Sequence, residues 1–350
     1  MIYWRLILRF LAAQQLLPAL AANEQEALIG GQAVFEGVMM RSPHAWGIAV
    51  RKPAASEGST ELGEIVVHSE PLSRPSEKHH WMAWPFIRGL VTLGQAMKLG
   101  FRASKFSINI LVAALTPEKE RSDKMPEMSK WTTAFTMVFS IGFFLFMYKL
   151  VPLAATRGLQ THLPVLNNNI LFNLVDGIFR LALFVLLIWG LSLMPDMRRL
   201  FEYHGAEHKT VFAYEAQRDI PSVQFTQGFS TYHPRCGTSF LMTIMLISVV
   251  IYAAIPVGAA AGARFFDKTF WLRFGIRILL LPVIASISYE MIRFSAKHGK
   301  SLFALLTRPG LWLQRITTQP PADDQVQCAI VALDQAMELE KQHGGELVIA

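Results

Sequence analysis

His204 and His208 stand four positions apart in the run His-Gly-Ala-Glu-His. On a helix that spacing puts both imidazoles on one face, where they can grip a single cation. Glu207, one position before the second histidine, is placed to take a proton from a water that the cation activates. The order H-x-x-E-H reverses H-E-x-x-H, and both are metal-hydrolase signatures. Further on, the run His233-Pro234-Arg235-Cys236 offers another nitrogen and a thiolate. Mixed nitrogen and sulfur donors favour Zn²⁺ over Mg²⁺ or Ca²⁺, which prefer oxygen. If His204, His208, His233 and Cys236 all bind, the tetrahedron is closed as in a structural site; three protein ligands would leave a position for water. Glu290, far downstream, is an alternative third ligand, in the manner of the inverted zincins.

These residues sit in an unusually apolar chain. Of 350 residues, 52% are hydrophobic and 17% charged, and the mean hydropathy is +0.32. A soluble chain carries roughly a quarter charged residues. Four blocks, at 131–155, 171–194, 238–260 and 270–292, are long enough to cross a bilayer. Trp131 and Trp271 mark the ends of the first and fourth, where indole rings favour the headgroup interface. The expected fold is an α-helical polytopic membrane protein with four transmembrane helices, a small cytosolic N-terminal β unit and interfacial helices.

Lys and Arg number 15 in residues 1–130, 5 in 195–236 and 6 from 293 onward, against 1 in 156–170 and 2 in 261–269. The positive-inside rule then predicts cytoplasmic termini and a cytoplasmic 195–236 loop, the one that carries the histidine pair. Topology and anionic membrane lipid account for the net charge of +7 and pI near 9.5. Nucleic acid is not an expected partner, since RNP, zinc-finger and basic-helix patterns are absent. Two cysteines, Cys236 and Cys328, suit a reducing cytoplasm and leave Cys236 available to a metal.

The chain divides into a leader or amphipathic extension (1–29), a small cytosolic β unit (30–80), an interfacial helix with a linker (81–130), the four-span domain (131–292) and a cytosolic interfacial segment with a terminal helix (293–350). In the leader, Ala19-Leu20-Ala21 mimics a signal-peptide cleavage site, but Gln14 and Gln15 interrupt the apolar core and favour an amphipathic helix. The runs GQAVFEGVMMR, AWGIAVRK and GEIVVHSE read as strands separated by turn residues. Residues 84–114 mix Phe86, Phe101 and Phe106 with Arg88, Lys98, Arg102 and Lys105, which suits a helix on the inner membrane surface. Residues 116–130 form a charged linker, and 300–316 read as a second interfacial segment. After Pro320-Pro321, Asp323 or Asp324 can cap a terminal helix with Val326, Ile330, Val331, Leu333 and Met337 on its apolar face.

Three stretches, GGQAVFEGVMMR from Gly30, EYHGAEHK from Glu202 and HPRCGTSF from His233, carry a family resemblance, as does the Thr317-to-Glu338 tail. From Gly30 to about Glu340 the chain resembles the YqhQ-like family of bacterial membrane proteins, described as predicted metal-dependent enzymes of unknown reaction. The resemblance implies a bacterial cytoplasmic (inner) membrane location, and it draws Glu36 and Arg41 into the candidate site. The plain reading of Glu36 is a strand residue facing solvent between turn glycines. The functional reading folds this segment over the metal site, so that Glu36 or Arg41 contacts substrate. Gly30, Gly31 and Gly37 fit neither a P-loop nor a dinucleotide fingerprint.

Asp176 and Arg180 in the second block, and Arg273 and Arg277 in the fourth, are ionisable residues at membrane depth. An Asp176–Arg277 interhelical pair with the other arginines snorkelling outward is the simpler expectation; an outer-leaflet pocket for an anionic lipid or substrate is the other. Lys149 is expected to snorkel. The functional expectation is a zinc-dependent, hydrolase-like protein acting at the cytoplasmic membrane face on a lipid-linked or membrane-bound substrate. The alternative is a non-catalytic, metal-stabilised scaffold or a lipid-handling factor in envelope assembly.

Overall fold

The computed structural model describes residues 29–53, 62–73, 79–116, 130–255, 268–297 and 308–343. The leader and nearly all of the charged linker lie outside them. Four strands come first: β1 (Gly30–Val34), β2 (Gly37–Arg41), β3 (Ala45–Arg51) and β4 (Ile65–Pro71). They pair antiparallel in the order β1-β2-β3-β4. Because strand side chains alternate, Val34, Met39, Trp46, Ile48 and Val50 form one face while Val38, Met40 and Ala49 belong to the other. Every residue of β3 is buried, which explains why it reads as an unbroken apolar run rather than an alternating one.

The first face is covered by α1 (Ile87–Leu115), through Leu99, Ala103 and Ile110. The helix expected on the inner membrane surface thus also has a face packed on the sheet. Small residues on its inner face permit close docking: a Cβ on Gly100 would lie 2.3 Å from Gln32 Oε1. The opposite face of α1 keeps Met97, Phe101 and Leu115 exposed. Of its basic residues, Arg102 pairs with Glu70 of β4.

Two helices made of later sequence cover the second face of the sheet. One is the terminal helix, here α11 (Asp323–His343), which buries Val326, Ala329, Leu333 and Ala336 against β2 and β3. A Cβ on Gly47 of β3 would stand 2.7 Å from the Ala332 carbonyl, so glycine is what lets the helix backbone ride on the strand. The contact is locked by Arg51 Nη2 donating to Asp324 O and Gln327 Oε1 at 3.0 Å, and by Glu340 accepting from Ser42 Oγ at 2.6 Å. Asp323 and Asp324 lie in the first turn of α11; the cap is Ala322, whose N–H donates to Gln325 Oε1 at 2.9 Å. The other covering helix is α5 (Pro195–Gln217), which contributes Tyr203 and Ala206.

Among the described residues, three helical stretches are long and apolar enough to cross a membrane: Ala134–Gln160, Asn169–Ser192 and Gly237–Ala254. The first comprises α2 (Lys130–Leu145), a π-helical turn at Phe146–Leu150 and α3 (Val151–His162). Pro152 has no N–H for the Tyr148 carbonyl, which accounts for the widened turn. Lys149 in that turn does not snorkel: it is buried, and its Nζ donates to the Tyr252 hydroxyl at 3.0 Å. The second stretch is α4 (Asn169–Ser192) and the third α7 (Gly237–Ala254). The fourth predicted block is two helices, α8 (Lys268–Leu279) and α9 (Leu281–Lys297), meeting at 43°. Pro282 explains the break, since its ring displaces the carbonyl four residues earlier. Phe135, Phe139, Phe143, Ile178, Leu186 and Val250 point outward, as side chains facing lipid would.

Between the second and third spans, the segment predicted as a loop is mostly α5, with the single turn α6 (Val223–Gln227) after it. Pro195 opens α5 and Arg218, in the left-handed region at φ 60°, closes it. The described part of the second predicted interfacial segment is α10 (Arg308–Thr317), which packs against the start of α7. A Cβ on Gly310 would lie 2.6 Å from Ser239, and Leu313 and Gln314 are buried there.

Candidate metal centre

Helix α5 presents two working faces. His204 and His208 share one, with ring centroids 4.4 Å apart. Arg199, Tyr203 and Glu207, also four apart, share the next and face the β1–β2 hairpin. Gly205 between the histidines is dictated by packing: a Cβ there would lie 2.1 Å from the Gln319 carbonyl. The chain leaving α10 crosses α5 at this point, and Gln319 N donates to Phe201 O at 2.9 Å.

Two backbone carbonyls fix the imidazoles. His204 Nδ1 lies 2.8 Å from Thr317 O, and His208 Nδ1 is bonded to Thr231 O. A carbonyl can only accept, so each Nδ1 carries the hydrogen and each Nε2 presents its lone pair. Hydrogen bonds of this kind, from Nδ1–H to a carbonyl, orient metal-binding histidines and raise their basicity. Cys236 completes the group: one donor atom each from His204, His208 and Cys236 lies within 4.8 Å of the others. Cys236 Sγ is 3.2 Å from His204 Nε2, close to the ~3.6 Å separation of sulfur and nitrogen on a tetrahedral zinc. Cys236 is the residue just before α7, a position where the first N–H groups of a helix favour negative charge, although its sulfur makes no capping bond. The donor set therefore fits a transition metal.

His233 comes near without joining the group. Its ring lies 5.5 Å from that of His208 and 4.6 Å from that of Phe212. Its Nδ1 accepts from Arg235 N at 3.3 Å, which leaves the hydrogen on Nε2 and no free lone pair. Burial, reinforced by the neighbouring His208 and His204, lowers its pKa to about 3, so it stays neutral. Gln314 holds it from both sides, accepting from His233 N and donating to His233 O, each at 2.7 Å.

Glu207 is buried, with Oε2 3.5 Å from His208 Nε2. Burial raises its pKa, against the opposing influence of His204, the Gly31 N–H and Arg41. The close approach of Gly31, whose Cβ would lie 2.7 Å from Glu207 Cγ, brings β1 over this side chain. Arg41 is thus within electrostatic reach of the site. Glu36 is not: its carboxylate is held by Arg199, with Nη2 at 2.7 Å, and by the Tyr203 hydroxyl at 3.3 Å. Arg199 lies two turns before Glu207, roughly 12 Å along the helix. Glu36 therefore anchors the hairpin tip, at a left-handed φ of 54°, rather than facing solvent or the cluster.

Glu290, the alternative third ligand, is also engaged elsewhere. Arg88 grips it through Nε at 2.7 Å and through Nη2, and Phe86 N donates to it at 3.2 Å. A bidentate guanidinium satisfies the carboxylate and ties α9 to the start of α1. Cys328 is no ligand either: its thiol donates to Ala49 O at 3.2 Å, and burial pushes its pKa up to about 12.

Sequence reasoning missed the Thr231 and Thr317 carbonyls, because backbone acceptors carry no residue-type signal. It also missed Arg199 and Tyr203, although their spacing of eight and four from Glu207 was a visible clue.

The family described as "Protein of unknown function (DUF1385)" matches residues 84–339. The Bacillus subtilis (strain 168) "Uncharacterized protein YqhQ" is 30% identical over 320 residues, covering 89% of this chain and 92% of the relative. No solved structure matches. With a family match over most of its length, and a relative aligned across nearly the whole of both chains, this protein belongs to the YqhQ-like, DUF1385 family.

Proposed function

We propose that the chain is a four-span protein of the bacterial cytoplasmic membrane that binds Zn²⁺ through His204, His208 and Cys236. In this reading it works at the cytoplasmic face as a hydrolase-like enzyme on a lipid-linked or otherwise membrane-bound substrate. The carrying observation is that Thr317 and Thr231 fix both Nδ1 atoms, which turns two Nε2 lone pairs toward the Cys236 sulfur. Counting α8 and α9 as one bent span gives four crossings, and the basic residues favour a cytoplasmic α5. Cys236 directly precedes the third span and α5 directly follows the second, so the cluster adjoins two span ends. That position favours a substrate held in or on the membrane.

Three protein donors leave a fourth position for water, the arrangement of catalytic zinc. Zinc so held supplies Lewis-acid activation of water near neutral pH. Glu207 is the side chain that would hold and pass the proton at Oε2, and the Gly31 N–H and Arg41 steady its charged form. The burial of His208 and Cys236 favours a second reading, a structural zinc pinning α5 to the start of the third span, with His233 rotating in as fourth donor.

Purified wild type is expected to carry near-stoichiometric zinc by elemental analysis, and His204→Ala to lose it. Equal zinc in both would remove both readings. Glu207→Gln separates them. An enzyme keeps its zinc and fold but no longer restores the wild-type phenotype in a deletion strain, whereas a structural site leaves that phenotype restored.

A further inference from the structure

Helix α10 joins the apolar bundle to the metal centre, and only one of its faces is used inside the protein. Gly310, Leu313, Gln314 and Thr317 are buried, and the helix packs on α7 and α4. Leu313 belongs to the same buried cluster as Phe184 of α4 and Met242, which lies in the second turn of α7. Helix α10 is therefore wedged against two spans at the end that carries the His–Cys cluster. Its Thr317 carbonyl holds His204, and its Gln314 holds His233.

The opposite face carries Arg308, Trp312 and Arg315, whose spacings of four and three place them on one side of the helix. All three are exposed, Trp312 by 51%. Neither guanidinium has a hydrogen-bond or ion-pair partner among the described residues. The neighbouring sequence supplies no acid to them: residues 291–322 contain Arg293, Lys297, Lys300, Arg308 and Arg315 but no Asp or Glu. Trp189 and Leu193 near the end of α4, and Leu241 near the start of α7, are exposed as well. Single-sign positive charge beside an indole, on a helix packed against span ends, is the composition that meets anionic headgroups. The guanidinium fork matches phosphate oxygens, and the indole favours the headgroup level. We propose that Arg308, Trp312 and Arg315 form a binding face for the headgroup phosphate of an anionic phospholipid. The two arginines stand roughly 10 Å apart along the axis, so they flank a headgroup seated over Trp312. This rests on reading the apolar stretches as membrane spans, and not on zinc. It names the lipid class held beside the element that orients His204.

The test uses the full chain in nanodiscs holding equal phosphatidylglycerol and phosphatidylcholine, with the lipid it retains on release counted by native mass spectrometry. Wild type is expected to favour phosphatidylglycerol by about tenfold or more, and Arg308→Gln/Arg315→Gln to bring the ratio near one. Both side chains are exposed and unpartnered, so this variant should keep the wild-type unfolding midpoint in detergent, which separates lost binding from lost folding. Lys52→Gln/Lys341→Gln removes the same charge from β3 and α11 and should leave the ratio as in wild type. An equal fall in that control would assign the preference to net charge and overturn the proposal. No preference in wild type, or an undiminished one in the folded Arg308→Gln/Arg315→Gln, overturns it too. A two-chain species abolished by the arginine substitutions would put a second copy on this face instead, with the same consequence. A chain that does not enter nanodiscs at all would fail the membrane reading itself, whereas entry without preference fails the lipid face alone.

Discussion

Single atoms decide much of this site. At Gly205 the Gln319 carbonyl occupies the space that any side chain would need, so Gly205→Ala must push the α10–α11 connection off α5. A loss of about 1–3 kcal/mol is expected, read as a lower unfolding midpoint, together with reduced zinc because Thr317 moves with Gln319. A second residue-scale prediction concerns acid. Burial would raise the Glu340 pKa, but the Ser42 hydroxyl, the His44 N–H and the His44 ring outweigh it and hold the carboxyl below its ordinary value. A carboxyl depressed on folding adds stability that is fully present above its unfolded pKa of about 4.3 and lost as pH falls through its folded value. Wild type should therefore lose stability below about pH 4 more steeply than Glu340→Gln, as measured by midpoints across a pH series. Parallel curves for the two proteins would refute this.

At the scale of elements, docking depends on backbones that approach without side chains between them. Gly47 faces the Ala332 carbonyl and the Ala336 amide of α11, neither of which can swing aside as a side chain would. Gly47→Val is expected to cost about 2 kcal/mol or more and to free α11 for cleavage in limited proteolysis. A protease pattern identical to wild type would show that the strand accommodates the valine. The π turn before Pro152 acts differently, since its wider turn carries Lys149, which is held inside at the Tyr252 hydroxyl rather than at a membrane edge. Pro282 likewise divides one apolar block into two helices, of which α9 carries Glu290 to Arg88 of α1.

For the whole molecule, the N-terminal sheet and α11 form one body. The second face of the N-terminal sheet is covered by α11 together with α5, and α5 is clasped between that sheet and the segment that runs from α10 into α11. A chain ending after Gln319 should expose Val38, Met40 and Ala49, aggregate on purification and lose zinc even with His204, His208 and Cys236 intact. Retention of wild-type zinc and a monodisperse profile by the truncated chain would separate the metal site from the sheet. This body also links the centre to the bilayer, because α5 continues from one span and Cys236 begins another.

Features governed by neighbours in sequence were legible in the sequence. The spacing of His204 and His208, the apolar blocks and the short strands after Gly30 follow from helix and strand periods and from residue chemistry, all of which act over a few residues. Tertiary structure alone settled the contacts between distant segments. Glu36 belongs to Arg199, Glu290 to Arg88, and the Nδ1 atoms of His204 and His208 to the carbonyls of Thr317 and Thr231. His233, chemically as good a donor as His208, is withdrawn from the group by the Arg235 amide and by Gln314. Which lone pairs remain free depends on how helices pack, and packing is a property of the folded whole that no local pattern encodes.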